Sequence, residues 1–174
     1  MSIVFSSKVS KESRHATESL FFFNPRQYRV RDAVINSLKE YGEPRIEEKG
    51  NDLCLGVGSG YAQTLFAFDS ERLDQHPVGV IVFLRSSRTE IVILHLAVHP
   101  DYVLGRRGSD PGLAFELVDK VKEIASRIKG VTRLVLSYDP KATFLVRAHI
   151  SSAASVPELN KEPDDNPQCS ILSK

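Results

Sequence analysis

The chain has 174 residues, the length of one domain with a sizeable core, and its 23 basic and 22 acidic side chains give a net charge of +1. This balance favours neither a nucleic-acid partner nor a membrane surface. The N-terminal residues are too charged for a secretory signal and the two cysteines form no paired motif, so we expect a cytoplasmic protein.

The first fifty residues predict one strand and one helix. Ile3-Val4-Phe5 predicts an edge strand, and the polar residues 6–19 predict a loop or a short helix. Asn24-Pro25 pairs an N-cap residue with a first helical residue, and apolar residues then recur at helical spacing, which predicts a helix over residues 25–41. Residues 42–51 are charged and predict a turn.

The middle of the chain predicts two pairs of strands. Residues 53–57 and 61–68 flank Gly58-Ser59-Gly60, and this pattern predicts a hairpin. Residues 78–85 and 90–98 are apolar on both faces, which is typical of strands in the middle of a covered sheet.

A strand–helix–strand unit follows. Residues 111–129 have one apolar face and predict a helix, which Gly130 ends, and residues 131–137 predict a strand. The unit should be a right-handed βαβ crossover with parallel outer strands. Ligands bind beyond the carboxyl ends of such strands, so the segment after residue 98 is the expected binding side.

The end of the chain is less regular. Asp139-Pro140 predicts the start of a short helix that reaches about residue 149. Residues 151–174 are polar and predict a tail. The expected organisation is a single domain over residues 1–150.

The loop after the strand over residues 90–98 suits an anion. It begins Val98-His99-Pro100-Asp101-Tyr102 and contains Arg106 and Arg107 among three glycines before the helix. Arginine offers forked donors to phosphate oxygens, and a helix N-terminus presents free N–H groups. Asp110-Pro111 reads as the N-cap and the first helical residue, which would turn the carboxylate away from a ligand.

These residues resemble the acyl-CoA-binding motif of the GNAT (Gcn5-related N-acetyltransferase) superfamily, V-x-P-x-Y followed by [QR]-x-x-G-x-[GA]. Arg107 and Gly112 match the second part, and Asp110 replaces its first glycine. A second family signature, N-x-x-A-x-x-[LF]-Y, is matched in part from Asp139 onward, with Val146 at the tyrosine position. The resemblance covers roughly residues 78–145.

The resemblance implies a three-layer α/β/α fold with a mixed central sheet, and transfer of an acetyl or other acyl group from acetyl-CoA, or another acyl-CoA, to a primary amine. Main-chain groups of the strand would hold the pantetheine arm, and the loop and helix start would hold the pyrophosphate. The implied cofactor-binding residues are Leu96, Ala97, Val98, Arg106, Arg107, Gly108, Ser109, Gly112, Leu113, Ala114, Asp139 and Ala142.

Two residues are the expected catalytic groups. Glu90 is the only acid on the strand and would act as general base through a water molecule, and Tyr138 would replace the missing tyrosine as general acid. His95 is a further candidate base, but strand alternation places it on the face opposite Glu90. His95 and His99 lie roughly 13 Å apart on a strand, so we expect no metal site.

The acceptor would be a small-molecule or protein amine. An alternative is a GNAT-like module that binds CoA or a protein partner without acyl transfer, which Asp110 and Val146 favour. A third option is a structural partner without a ligand, and a homodimer through an uncovered sheet edge would suit it.

Overall fold

The structure is a computed structural model, and it describes residues 2–22, 31–58, 60–103 and 112–146. Its elements, in chain order, are β1 (Ile3–Ser6), α1 (Arg14–Phe22), α2 (Arg31–Tyr41), β2 (Pro44–Lys49), β3 (Asp52–Val57), β4 (Gly60–Tyr61), β5 (Gln63–Asp69), β6 (Pro77–Arg85), β7 (Glu90–Val98), α3 (Leu113–Ser126), β8 (Arg133–Leu136) and β9 (Asp139–Leu145). Short 3₁₀ turns, Lys11–Ser13 and Pro100–Tyr102, precede α1 and follow β7. Within these residues, no helix is both long and apolar enough to cross a membrane.

The large sheet is mixed, and its strand order is β1-β5-β6-β7-β8-β9. Neighbouring strands are antiparallel except β7 and β8, which run parallel and are joined through α3. The α/β class, the mixed sheet and the predicted strand–helix–strand unit are thereby confirmed. β2, β3 and β4 form a separate antiparallel sheet.

Two apolar clusters cover the central strands. In one, Leu113, Leu117 and Val121 of α3 pack on strand residues such as Ile81 and Ile93. In the other, Leu20 and Phe21 of α1 pack with β3 residues on alternate positions of the same strands, such as Val80 and Val82. Because side chains alternate across a strand, α1 and α3 lie against opposite faces of β6.

A β-bulge interrupts the alternation in β7. Val82 pairs with His95 and Phe83 pairs with Ile93, so Leu94 is an extra residue opposite β6. An extra residue reverses the facing of everything beyond it. His95 therefore shares the α1 face with Leu94, and its ring centroid lies 4.2 Å from that of Phe21.

The bulge corrects the expectation that His95 and Glu90 face opposite sides. Ile91 and Ile93 belong to the α3 cluster and Val92 to the α1 cluster. Glu90 precedes Ile91 and so lies on the α1 face, which is the face of His95.

Two further predictions near the N-terminal half need correction. Residues 42–51 were predicted as a turn, but β2 pairs with β3 along its whole length, from Pro44↔Val57 to Lys49↔Asp52. β2 is an edge strand and most of its side chains are exposed. Charged side chains on such a strand discourage pairing with a strand of another molecule. The predicted hairpin is short, since β3 pairs with β4 at two positions and β5 then joins the large sheet between β1 and β6.

The predicted helix after Asp139 is wrong over the described residues. This segment is β9, which runs antiparallel to β8 after a turn at Ser137 and Tyr138. Val146 follows it, buried in the α3 cluster, and its N–H donates to the carbonyl of Thr132 at 2.9 Å. β7 pairs with one edge of β8, and β9 provides hydrogen-bond partners for the main-chain groups on the other edge.

The two predicted amphipathic helices are found with shorter bounds. α2 occupies residues 31–41 of the predicted 25–41, and residues 25–30 lie outside the described residues. α3 begins after Gly112, which is its N-cap, and not after Asp110. The predicted tail, residues 151–174, also lies outside the described residues.

Candidate functional site

β7 continues beyond its parallel neighbour. The pairing with β8 runs from Glu90↔Arg133 to Ile93↔Leu136, whereas β7 ends at Val98, five residues past Ile93. Ser137 closes the paired region, because its N–H donates to the carbonyl of Ile93 at 2.9 Å and its hydroxyl to that of Leu94 at 3.3 Å. Beyond Ser137 the chain turns into β9, so within the described residues no strand pairs with the carboxyl half of β7 on this side, and we call this stretch the gap.

The orientation of the main chain decides which residues of β7 face this gap. The N–H of His99 donates to the carbonyl of Val78 at 2.8 Å, and bonded pairs of an antiparallel ladder recur at every second residue. Ala97, opposite Val80, therefore directs its main-chain groups toward β6. Leu96 directs its N–H and carbonyl toward the gap. Of the predicted pantetheine contacts, the geometry favours Leu96 over Ala97.

The start of α3 lies beside the end of β7. Gly79 pairs with Val98, and a methyl group built on Gly79 would stand 3.1 Å from Cδ2 of Leu113 and 3.0 Å from Cδ1 of Leu117. The missing side chain thus lets the first turn of α3 pack closely on β6. Gly112 provides no side-chain cap, and the first N–H of α3 that bonds within the helix is that of Phe115, which donates to the Gly112 carbonyl at 2.8 Å. The N–H groups of Leu113 and Ala114 precede this bond and have no partner within the helix itself.

The cofactor-binding residues predicted in the loop lie outside the described residues. Arg106, Arg107, Gly108 and Ser109 belong to residues 104–111, which the structure does not describe. Leu113 is a core residue and Ala114 packs against the same cluster, so both could meet a ligand mainly through main-chain groups.

The segment that matches V-x-P-x-Y is anchored to β5. The hydroxyl of Tyr102 donates to Oδ2 of Asp69 at 2.6 Å, and Asp69 is buried. Burial, and then the Asp69 carboxylate, raise the pKa of Tyr102. Asp69 therefore fixes the beginning of the loop, a role that its sequence context did not reveal.

The two predicted catalytic residues occupy different ends of the β7–β8 pair. Glu90, at the amino end of β7, lies 3.1 Å from a guanidinium nitrogen of Arg133 and accepts a hydrogen bond from Ser86 at 2.9 Å. Tyr138 follows Ser137 beside the gap, and burial raises its pKa far above the usual value, so the phenol keeps its proton. Asp139 and Ala142 lie on β9, and Asp139 is exposed.

A cavity of about 330 Å³ opens on the α1 face, between α1, α2 and β7. Its polar lining residues are Ser37, Tyr41, Glu43 and His95. The hydroxyl of Ser37 donates to that of Ser137 at 3.2 Å, which connects the cavity wall to the residue that closes the β7–β8 pairing. The cavity therefore borders the gap from the opposite side to the start of α3.

Two groups in the cavity wall have shifted pKa values. Burial lowers the pKa of His95 to about 4, and a hydrogen bond to the main chain of Phe21 opposes this shift without cancelling it. Burial, followed by a hydrogen bond that the hydroxyl donates to the Glu40 carboxylate, raises the pKa of Tyr41 to about 12. At neutral pH both side chains are uncharged.

Comparison of the chain with protein-family models, with curated proteins and with solved structures gave no match.

Proposed function

We propose that this protein is an acetyl-CoA-dependent N-acyltransferase with a GNAT-like, three-layer fold. The observation that carries the proposal is the gap beside Leu96: a strand with outward-facing main-chain groups ends next to an uncapped helix start. An acyl-CoA molecule needs both features, since its pantetheine arm carries amides and its pyrophosphate is an anion. A cytoplasmic location and an amine acceptor belong to the same proposal.

The cofactor would lie along the gap. The amide groups of the pantetheine arm would pair with Leu96 as an additional strand does. The pyrophosphate would meet the N–H groups of Leu113 and Ala114, where the helix dipole is positive, together with Arg106 and Arg107. This arrangement leaves the thioester near Leu94 and Ser137.

The reaction proposed is direct transfer. The lone pair of the amine attacks the thioester carbonyl carbon, the C–S bond breaks, and the CoA thiolate leaves and gains a proton. Positioning of the two reactants supplies most of the acceleration. Tyr138 follows Ser137 and keeps its proton, so in this proposal it would donate a hydrogen bond to the sulfur as negative charge develops.

The proposed general base, Glu90, is less well placed. Its carboxylate is paired with Arg133 at the amino end of β7, so a chain of water molecules would have to join it to the thioester. His95 lies closer to the gap, because it directly precedes Leu96 on β7.

A non-catalytic acyl-CoA-binding module is the competing proposal. It is favoured by Val146, which occupies the tyrosine position of the second signature and is buried in the α3 cluster. It is also favoured by β9, because this segment is a strand and not the predicted short helix. Both proposals predict saturable CoA binding. Only the transferase predicts release of free thiol from acetyl-CoA when an amine is added.

Calorimetric titration with acetyl-CoA and with CoA tests both proposals. Arg107→Ala should weaken binding by about 1–3 kcal/mol, the scale of a lost hydrogen bond to a charged group. Arg127→Ala is the matched control, because Arg127 lies at the far end of α3 and pairs with Glu123. Absence of binding at millimolar CoA would exclude both proposals, and equal affinities of the two variants would remove Arg107 from the site.

A further inference from the structure

The cavity on the α1 face has an apolar wall. The lining residues are Phe21, Phe22, Val34, Ser37, Leu38, Tyr41, Gly42, Glu43, Pro44, Val57, Val82, Leu94 and His95. Its volume of about 330 Å³ is near the lower end of the range of roughly 300–1,000 Å³ for small-molecule sites. It is therefore large enough for a ring with a short chain, and too small for a folded protein segment.

The charge of the wall limits the ligand further. Glu43 is the one carboxylate among the described lining residues, and no lysine or arginine is among them. An anionic ligand would be repelled. A polycation would have to leave several charges without water against an apolar surface, which is costly.

His95 is placed to take up a proton from a ligand in this cavity. The β-bulge at Leu94 turns its ring into the wall, where the ring packs on Phe21. One ring nitrogen donates to the Phe21 carbonyl, and a neutral imidazole with one N–H carries a lone pair on the other nitrogen. The bulge therefore provides a proton acceptor that regular alternation would have placed on the α3 face.

We infer that this cavity binds the acceptor as a small primary amine on an aryl or alkyl body, and that His95 accepts the proton that the amine loses. This inference rests on the proposed acyl transfer. The apolar wall holds the body of the acceptor, and the link between Ser37 and Ser137 brings the cavity up to the gap where the thioester lies.

The chemistry balances with the groups at hand. The apolar wall disfavours the ammonium form, so the amine is bound neutral. Its nitrogen bonds to the thioester carbon and becomes positively charged, and His95 removes one proton from it. The C–S bond then breaks to give the amide and the CoA thiolate, which accepts a hydrogen bond from Tyr138 and takes a proton from water. His95 then releases its proton to water, which restores the neutral ring.

The test compares 4-phenylbutylamine with spermidine and with a lysine-containing peptide. We expect 4-phenylbutylamine to bind in calorimetry without acetyl-CoA and to give a kcat/KM for thiol release at least tenfold above the other two. Val34→Phe, which fills the cavity, should abolish that binding. Ile35→Phe is the matched control, because Ile35 is the adjacent, exposed residue of α2 and does not line the cavity.

His95 is tested by His95→Gln, which keeps a donor for the Phe21 carbonyl. With 4-phenylbutylamine, kcat should fall by about 10²–10⁴-fold, the usual contribution of a general base, while affinity for the amine changes by less than threefold. His15→Gln, an exposed position on α1, should leave both unchanged. An unchanged kcat in His95→Gln would overturn its role.

The two proposals fail in different ways. Binding of 4-phenylbutylamine that Val34→Phe abolishes, without any acetyl-CoA binding, would support the ligand class and end the proposed transferase. Thiol release with spermidine or the peptide, and neither binding nor turnover of 4-phenylbutylamine, would keep the transferase and overturn the acceptor class.

Discussion

The neutral imidazole of His95 should make the stability of the protein depend on pH in a way that a single substitution removes. The folded pKa is about 4 and the unfolded value about 6.5, so between them the unfolded state binds more protons. Stability contributed by the neutral ring is present above pH 6.5 and is lost as the pH falls toward 4. Between pH 7.5 and 5 the loss is about 2 kcal/mol, at 1.36 kcal/mol for each pKa unit.

The assay is urea unfolding of the wild type and of His95→Gln at pH 7.5 and pH 5. All other titratable groups are present in both proteins, so their contributions cancel in the comparison. The wild type should lose about 2 kcal/mol more than the variant. Equal losses would refute the reasoning, because they would mean that His95 is accessible to water and able to charge in the folded state.

Three further predictions follow from the packing and the charges. Gly79→Ala should cost about 1–3 kcal/mol of unfolding free energy, because its methyl group meets Leu117, and Leu117→Val should recover part of that cost in a double-mutant cycle. Glu90→Gln should cost no more than about 1 kcal/mol and leave thiol release within threefold, whereas a loss of 100-fold or more would establish Glu90 as the base. The pH profile of kcat/KM should follow the pKa of the amine supplied, and a limb near pH 6.5 that persists with every amine would contradict a neutral His95.

The sequence predicted the part of the fold with the strongest periodicity. α3 has a continuous apolar stripe ended by Gly130, and β6 and β7 are apolar strands joined by a short polar turn, so both elements and the parallel return to β8 could be inferred. The weakly periodic segments were misjudged. In β2 only Ile46 interrupts a charged run, and its strand geometry depends on pairing with β3.

β9 shows a conflict between two local signals. Asp139-Pro140 resembles a helix start, whereas Thr143, Phe144 and Leu145 favour a strand. The strand forms because β8 needs a partner on its free edge. Thr143 and Phe144 therefore carry the sequence signal that favours this strand.

The candidate site was predictable only in part. The gap lies at the carboxyl end of β7, as expected for a parallel crossover. The bulge, however, decides which residues of β7 direct their main-chain groups into the gap. In a strand as uniformly apolar as Ile91-Val92-Ile93-Leu94, an extra residue leaves no trace in the hydrophobic pattern. The cavity was not foreseen because its wall combines α1, α2, β3 and β7, which are distant in the chain.

The most direct test of the account is an NMR titration of ¹⁵N-labelled protein with CoA, following the backbone amides. The account predicts saturable shifts that are largest at Leu96, Leu113 and Ala114, the residues that border the gap and begin α3. Amides of β1, at the far edge of the sheet, should stay in place. Shifts confined to another part of the surface, or no shifts at millimolar CoA, would contradict an acyl-CoA site between β7 and α3.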